Sequence, residues 1–257
     1  MKRTLWILSA GLFLTGLGAG ADFWDKKPYT QWTDKEARKI LLSSPWTYEY
    51  KWGYIGSIAQ NVTGQGDSER EFLTIIRVHL FSAHTLRQAY AAIAARQNPK
   101  GAEELKRFAD REFKDDIIVS WTLDSVPKGA SSVFDIERTL RSLSLSDLKN
   151  TTYLATNLGK KVYLKDYLPP PADGTGAKFI FPRFVEPGVP FLTPDDKTLR
   201  FQTIQFEIKQ KLAQDGSEDW SQTDRFINNQ RTIHEKELNI DATWRVKDLR
   251  LNNRLDF

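Results

Sequence analysis

The sequence predicts an α+β protein, with an N-terminal portion of strands and two or three helices and a C-terminal antiparallel, sandwich-like β portion. Three observations carry this. Apolar residues keep helical spacing in stretches between residues 34 and 145. From residue 178 onward they alternate with period two. Between the two textures lies YLPPPADGTGA, residues 167–177, where consecutive prolines deny a strand its donors and DGTG is turn chemistry. The boundaries read from this are 1–21, 22–166 and 167–257, the last two sharing one core if no linker separates them.

The first helix starts at Thr33-Asp34-Lys35-Glu36, a capping box in which threonine accepts from the third amide and glutamate reaches back. It carries Ala37, Ile40 and Leu41 on one face and must end near Ser43 or Ser44, because Pro45 disfavours helix before it. TYEYKWGYIGSIAQNV (47–62) and EFLTIIRVHLF (71–81) read as strands around a turn-type run. A helix follows, with Leu86, Ala89, Tyr90 and Ile93 in register and Ser82 as its expected cap. GAEELKRFADREF (101–113) is a second helix and DIIVSWTL (116–123) a buried strand. SSVFDIERTLRSLSL (131–145) reads as a third helix, with a strand the alternative for its first half. TTYLATN (151–157) and KVYL (161–164) flank a hairpin-like turn at Asn157–Lys160.

In the β portion, KFIFPRF (178–184) is a strand and LTPDD (192–196) a turn. Leu199 and Phe201 are out of phase with Ile204, Phe206 and Ile208, so a bulge is expected near Gln202–Thr203. The alternation of Ile240, Ala242, Trp244 and Val246 changes phase again at Lys247-Asp248.

The first 21 residues read as an export signal rather than part of the fold. Lys2 and Arg3 precede an uncharged apolar run of 17 residues, Thr4 to Gly20. Ala19-Gly20-Ala21 has the small-x-small pattern of a processing site, so cleavage is expected after Ala21. The mature chain is then periplasmic or extracellular, with no later run long enough to span a membrane. Losing Lys2 and Arg3 from a net +4 leaves +2, too weak and dispersed for a nucleic-acid footprint. The chain has no cysteine, which excludes disulfides, thiolate metal sites and cysteine nucleophiles.

Motifs for catalysis are sparse. The histidines are His79 in a strand, His84 at a helix start, and His234 in HEKEL, which lacks the second histidine of a helical zinc site. Gly56-Ser57 lacks the flanks of a nucleophile elbow. Asp110, Glu112, Asp115 and Asp116 read as the solvated end of a helix. Asp215, Glu218, Asp219 and Asp224 lack calcium-loop spacing, and GTGA (174–177) lacks the Lys-Ser/Thr of a phosphate loop. No catalytic residue, metal site or cofactor is assigned.

Aromatics are the compositional excess. Seven tryptophans follow residue 21, four of them within residues 24–52. Trp24, Tyr29, Trp32, Trp46 and Trp52 can serve as a binding surface for a glycan or envelope protein, or as a clamp that docks the processed N-terminus. Trp32, directly before the capping box, is placed as a hydrophobic staple on Ala37 or Ile40 and favours the clamp.

KPYTQWTDKEARKILLSSPW, IIRVHLFSAHTLRQAYA, FIFPRF and TWRVKDLRLNNRLDF resemble segments of an uncharacterised family of secreted soil-bacterial proteins. The resemblance spans most of the chain after residue 21 and implies export and a family-specific fold. It implies no activity and no site residue. The function expected is that of an exported, non-catalytic binding or scaffolding component of the cell envelope. The alternative is a secreted hydrolase with a non-contiguous active site, which needs a cleft where a histidine or two acids converge.

Overall fold

The computed structural model describes residues 22–58, 68–126, 128, 131–212, 232–251 and 254–257. The segment expected to be an export signal, with Ala19 and Ala21, and the loop acids from Asp215 to Asp224, lie outside the described residues, as do the side chains of Trp52 and His234. The class is mixed α+β with antiparallel sheets.

The helices are α1 (Phe23–Lys26), α2 (Asp34–Ser43), α3 (His84–Gln97), α4 (Ala102–Asp110), α5 (Ser131–Ser142) and α6 (Leu145–Leu148). The strands before the proline run are β1 (Thr47–Ile58), β2 (Ser68–Leu80), β3 (Asp116–Val126), β4 (Thr152–Thr156), β5 (Lys161–Tyr163) and β6 (Asp166–Leu168). After it come β7 (Ala177–Pro182), β8 (Phe184–Glu186), β9 (Val189–Pro190), β10 (Thr198–Leu212), β11 (Thr232–Arg245), β12 (Arg250–Leu251) and β13 (Arg254–Leu255).

The first large sheet has the order β1-β2-β3-β7-β6 and the second β11-β10-β4-β5. Each takes strands from both sides of the proline run: β7 pairs with β3, and β4 pairs with β10. The sheets meet through aromatic rings. Phe201 of β10 lies 5.5 Å from Phe179 and 6.0 Å from Phe181 of β7, and 6.1 Å from Trp121 of β3. One buried cluster runs from Trp32 to Leu249 across both portions. Burying so many large side chains in one cluster is the main favourable contribution to folding.

Local signals act as their chemistry dictates. Thr33 Oγ1 accepts from the Glu36 amide at 3.2 Å, and Glu36 Oε2 accepts from the Thr33 amide at 2.7 Å. The register of β10 on β11 shifts between Thr203 and Phe206, so the bulge falls just past the expected position. The second phase change, at Lys247-Asp248, is a 3-10 turn over Val246–Leu249. Asn157–Lys160 turns between β4 and β5, with Gly159 at φ +80°.

One local expectation is corrected. Ser82 does not cap α3, whose cap position is Ala83 with no side-chain bond. Ser82 Oγ instead accepts from the Ile118 amide at 2.7 Å. It is consumed in joining β3 to the end of β2, which leaves the helix start to be satisfied from elsewhere.

Candidate functional site

What satisfies that helix start is Asp256. The Thr85 amide donates to Asp256 Oδ2 at 3.0 Å, and the His84 amide donates to the Asp256 carbonyl at 2.7 Å. A residue 171 positions away thus does the work of an N-cap. It brings the segment carrying β12 and β13 onto the start of α3.

The C-terminal end of α4 is met in a complementary way. Arg87, on α3 and only 2% exposed, donates through Nη1 to the carbonyls of Phe108, at 3.3 Å, and Arg111. A cation there suits the negative end of the helix dipole. Arg183, between β7 and β8, donates from Nε to the Phe113 carbonyl and from Nη1 to the main-chain oxygen of Phe257, each at 3.0 Å. These contacts frame a cleft of about 490 Å³, lined by α3, the end of α4, residues 111–114, Arg183 and the segment Leu251–Phe257.

The cleft's electrostatics are unusual. Arg87, Arg111 and Arg183 line it, and among the described residues none of the three has an Asp or Glu side chain within ion-pair distance, although Asp256 and Asp110 act on Arg87, and Asp116 and Asp115 on Arg183, from further off. Burial pulls Arg87 down to about 10 and lowers Arg183 as well. Burial also lifts the Asp256 carboxyl to about 6, against the opposing Thr85 hydrogen bonds and the charges of His84 and Arg87. His84 Nε2 lies 3.5 Å from Asp110 Oδ1, on the open side. Phe113 is covered by Arg87, 4.8 Å from its centroid, and by Arg111 at 5.3 Å. Arg183 lies 5.4 Å from the Phe257 centroid.

Of the residues singled out from sequence, His84, Asp110 and Glu112 belong to this cleft. His79 does not. It is buried, bonded to Thr47 Oγ1 through Nδ1 at 3.0 Å and to Thr122 Oγ1 through Nε2 at 2.9 Å. Burial, with Arg77 beside it, drives its imidazole down to about 3, so it is neutral. Asp196, in the expected turn, accepts from Thr193 and Lys160, each at 2.8 Å.

Trp32 and Trp46 of the N-terminal stretch face inward, each 1% exposed. Trp32 Nε1 donates to the Lys27 carbonyl at 3.1 Å, and Arg96 of α3 donates to the Trp32 carbonyl. Trp24 and Tyr29 are half-buried, their rings 5.6 Å from Trp46 and 6.3 Å from Trp32. Neither Trp32 nor Trp46 displays a face on which a sugar or peptide could stack.

Sequence reasoning missed Asp256, Arg87 and Arg183. One signal was available: a long helix starting at Ala83-His84 has no local capping side chain once Ser82 is committed to a strand, so a remote cap is required. Among the described residues no three His, Asp or Glu side chains are grouped to hold a metal ion. No protein-family model, no curated protein and no solved structure matches this chain.

Proposed function

We propose that this is an exported, non-catalytic binding protein of the cell envelope, periplasmic or extracellular, whose ligand enters the cleft between α3, α4 and Leu251–Phe257. Support for export comes from Lys2-Arg3, the apolar run and Ala19-Gly20-Ala21. The observation that carries the binding reading is the set of three arginines around one cavity, held by main-chain oxygens and ring faces, with no Asp or Glu side chain within ion-pair distance among the described residues. Carbonyls orient a guanidinium but do not neutralise it, and a desolvated cation such as Arg87 whose counter-charges are held beyond ion-pair distance is costly. A site that retains that cost is prepared for a partner.

A thermal-shift screen of the mature protein against charged and neutral small molecules tests this. Saturable stabilisation that His84→Ala or Arg111→Gln diminishes is the expected outcome. A screen in which every stabiliser acts equally on wild type and both variants argues against the cleft.

The second reading, a secreted hydrolase, is favoured by one contact: His84 beside Asp110 in the same cleft as Asp256, whose carboxyl is held partly protonated near pH 6. Turnover of nitrophenyl esters that vanishes in His84→Ala would establish it. Binding without turnover supports the first reading.

A further inference from the structure

We propose that the ligand of this cleft is an organic oxyanion, a carboxylate or phosphate monoester, carrying an apolar body. This rests on the reading of the cleft as a binding site and adds the ligand's chemical class.

The charge argument comes first. The cations facing the cavity are Arg87 from α3, Arg111 and Lys114 from the loop after α4, and Arg183 from the β7–β8 junction. The acids are Asp110 of α4, Glu112 of the loop, and Asp256. Each acid has another partner. Asp110 meets His84 at 3.5 Å, Glu112 meets Lys114 at 4.0 Å, and Asp256 is tied to the first amides of α3, while Asp256 and Asp110 also act on Arg87 from further off. The three guanidiniums feel acids nearby, Asp256 and Asp110 on Arg87 and Asp116 and Asp115 on Arg183, but among the described residues none has an Asp or Glu oxygen within ion-pair distance, so their uncommitted donors are the ones a ligand can meet. A cationic ligand would be repelled by all of them.

Their donor geometry narrows the class. A guanidinium presents five N–H donors in a planar fork that matches carboxylate and phosphate oxygens. Arg183 commits Nε and Nη1 to the main-chain oxygens of Phe113 and Phe257, with Asp116 and Asp115 acting on it from beyond ion-pair distance, and its Nη2 makes no hydrogen bond among the described residues. Arg87 commits Nη1 to two carbonyls, and its Nε has no partner among the described residues. Arg111 holds its guanidinium over Phe113 and is exposed, free to swing onto an oxyanion.

The remaining lining is apolar: Phe113, Leu251, Leu255 and Phe257. At about 490 Å³ the cavity suits a small organic molecule and is large for a bare inorganic ion. A neutral sugar fits less well. Sugars need an open aromatic face, and the Phe113 ring already lies under two guanidiniums.

Isothermal titration of the mature protein at pH 7 with benzoate, phenyl phosphate, benzamide and inorganic phosphate tests the class. Benzoate or phenyl phosphate binds at one site, at least ~10-fold tighter than benzamide, because a charge-assisted hydrogen bond is worth that factor or more. Inorganic phosphate binds more weakly than phenyl phosphate. Arg111→Gln, an exposed change that leaves folding intact, weakens the anion ~10-fold and leaves benzamide unaffected. Arg183→Gln does the same, and Arg111→Gln keeps the test valid if that variant fails to fold. Benzamide as tight as benzoate, or an Arg111→Gln variant with unchanged anion affinity, overturns the oxyanion class while leaving a binding cleft. Phosphate as tight as phenyl phosphate overturns the apolar body. If no probe of either charge binds, both this inference and the binding reading fall.

Discussion

At the scale of single residues, two buried titratable groups set opposite pH dependences. His79 is neutral in the fold because burial holds it near 3, below its ordinary 6.5. Its contribution to stability is present above pH 6.5 and is lost as pH falls toward 3. Asp256 is the reverse case. Its folded value of about 6 lies above the ordinary 3.8, so its contribution is full below pH 3.8 and is lost as pH rises through 6. Asp256→Asn keeps an oxygen for the Thr85 amide and removes the ionisation. We expect the variant to gain stability over wild type at pH 7.5 and to lose that advantage by pH 4, read from urea unfolding at both pH values. Equal pH profiles would show that the carboxyl is not desolvated. Trp32 supplies a second residue-scale prediction. Trp32→Ala empties a fully buried indole site and should cost about 3–4 kcal/mol in thermal or urea unfolding. An unchanged midpoint would refute the clamp.

At the scale of elements, what was legible followed from local chemistry. The capping box fixed α2 because both of its bonds lie within four residues. The break in alternation placed the bulge in β10 because a one-residue slip exchanges faces. The start of α3 was illegible for the opposite reason. Its cap, Asp256, comes from the far end of the sequence, and the local candidate Ser82 is bonded to β3. The cleft was illegible on the same ground: His84, Asp110, Arg183 and Asp256 sit on separate elements, and no spacing links them. Gly176 marks another element-scale constraint. It enters β7 at φ +77°, and a Cβ there would stand 1.8 Å from the Trp121 carbonyl oxygen. Gly176→Ala must therefore push β7 from β3, and a loss of at least ~3 kcal/mol is expected in urea unfolding. A loss below about 1 kcal/mol, the size of a simple glycine-to-alanine effect, would contradict this close approach.

At the scale of the whole molecule, the two sheets are interlocked by exchange of strands across the proline run, and one aromatic core fills the space between them. Sequence texture divides the chain at that run, since proline chemistry is local, whereas strand pairing is not. Among the described residues no helix is long and apolar enough to cross a membrane. The segment Leu251–Phe257 closes one flank of the cleft and, through Asp256 and the main-chain oxygen of Phe257, connects the C-terminal strands to α3 and Arg183. The central claim is that this junction is a ligand site and not only a fastening. The most direct measurement is a ¹⁵N-amide NMR titration of the protein with phenyl phosphate. Saturable shifts confined to His84, Thr85, Arg111, Phe113, Arg183 and Phe257, with the Trp32 and Trp46 amides unmoved, are the result predicted. Shifts scattered over the surface in proportion to concentration, or none at the cleft, would contradict it.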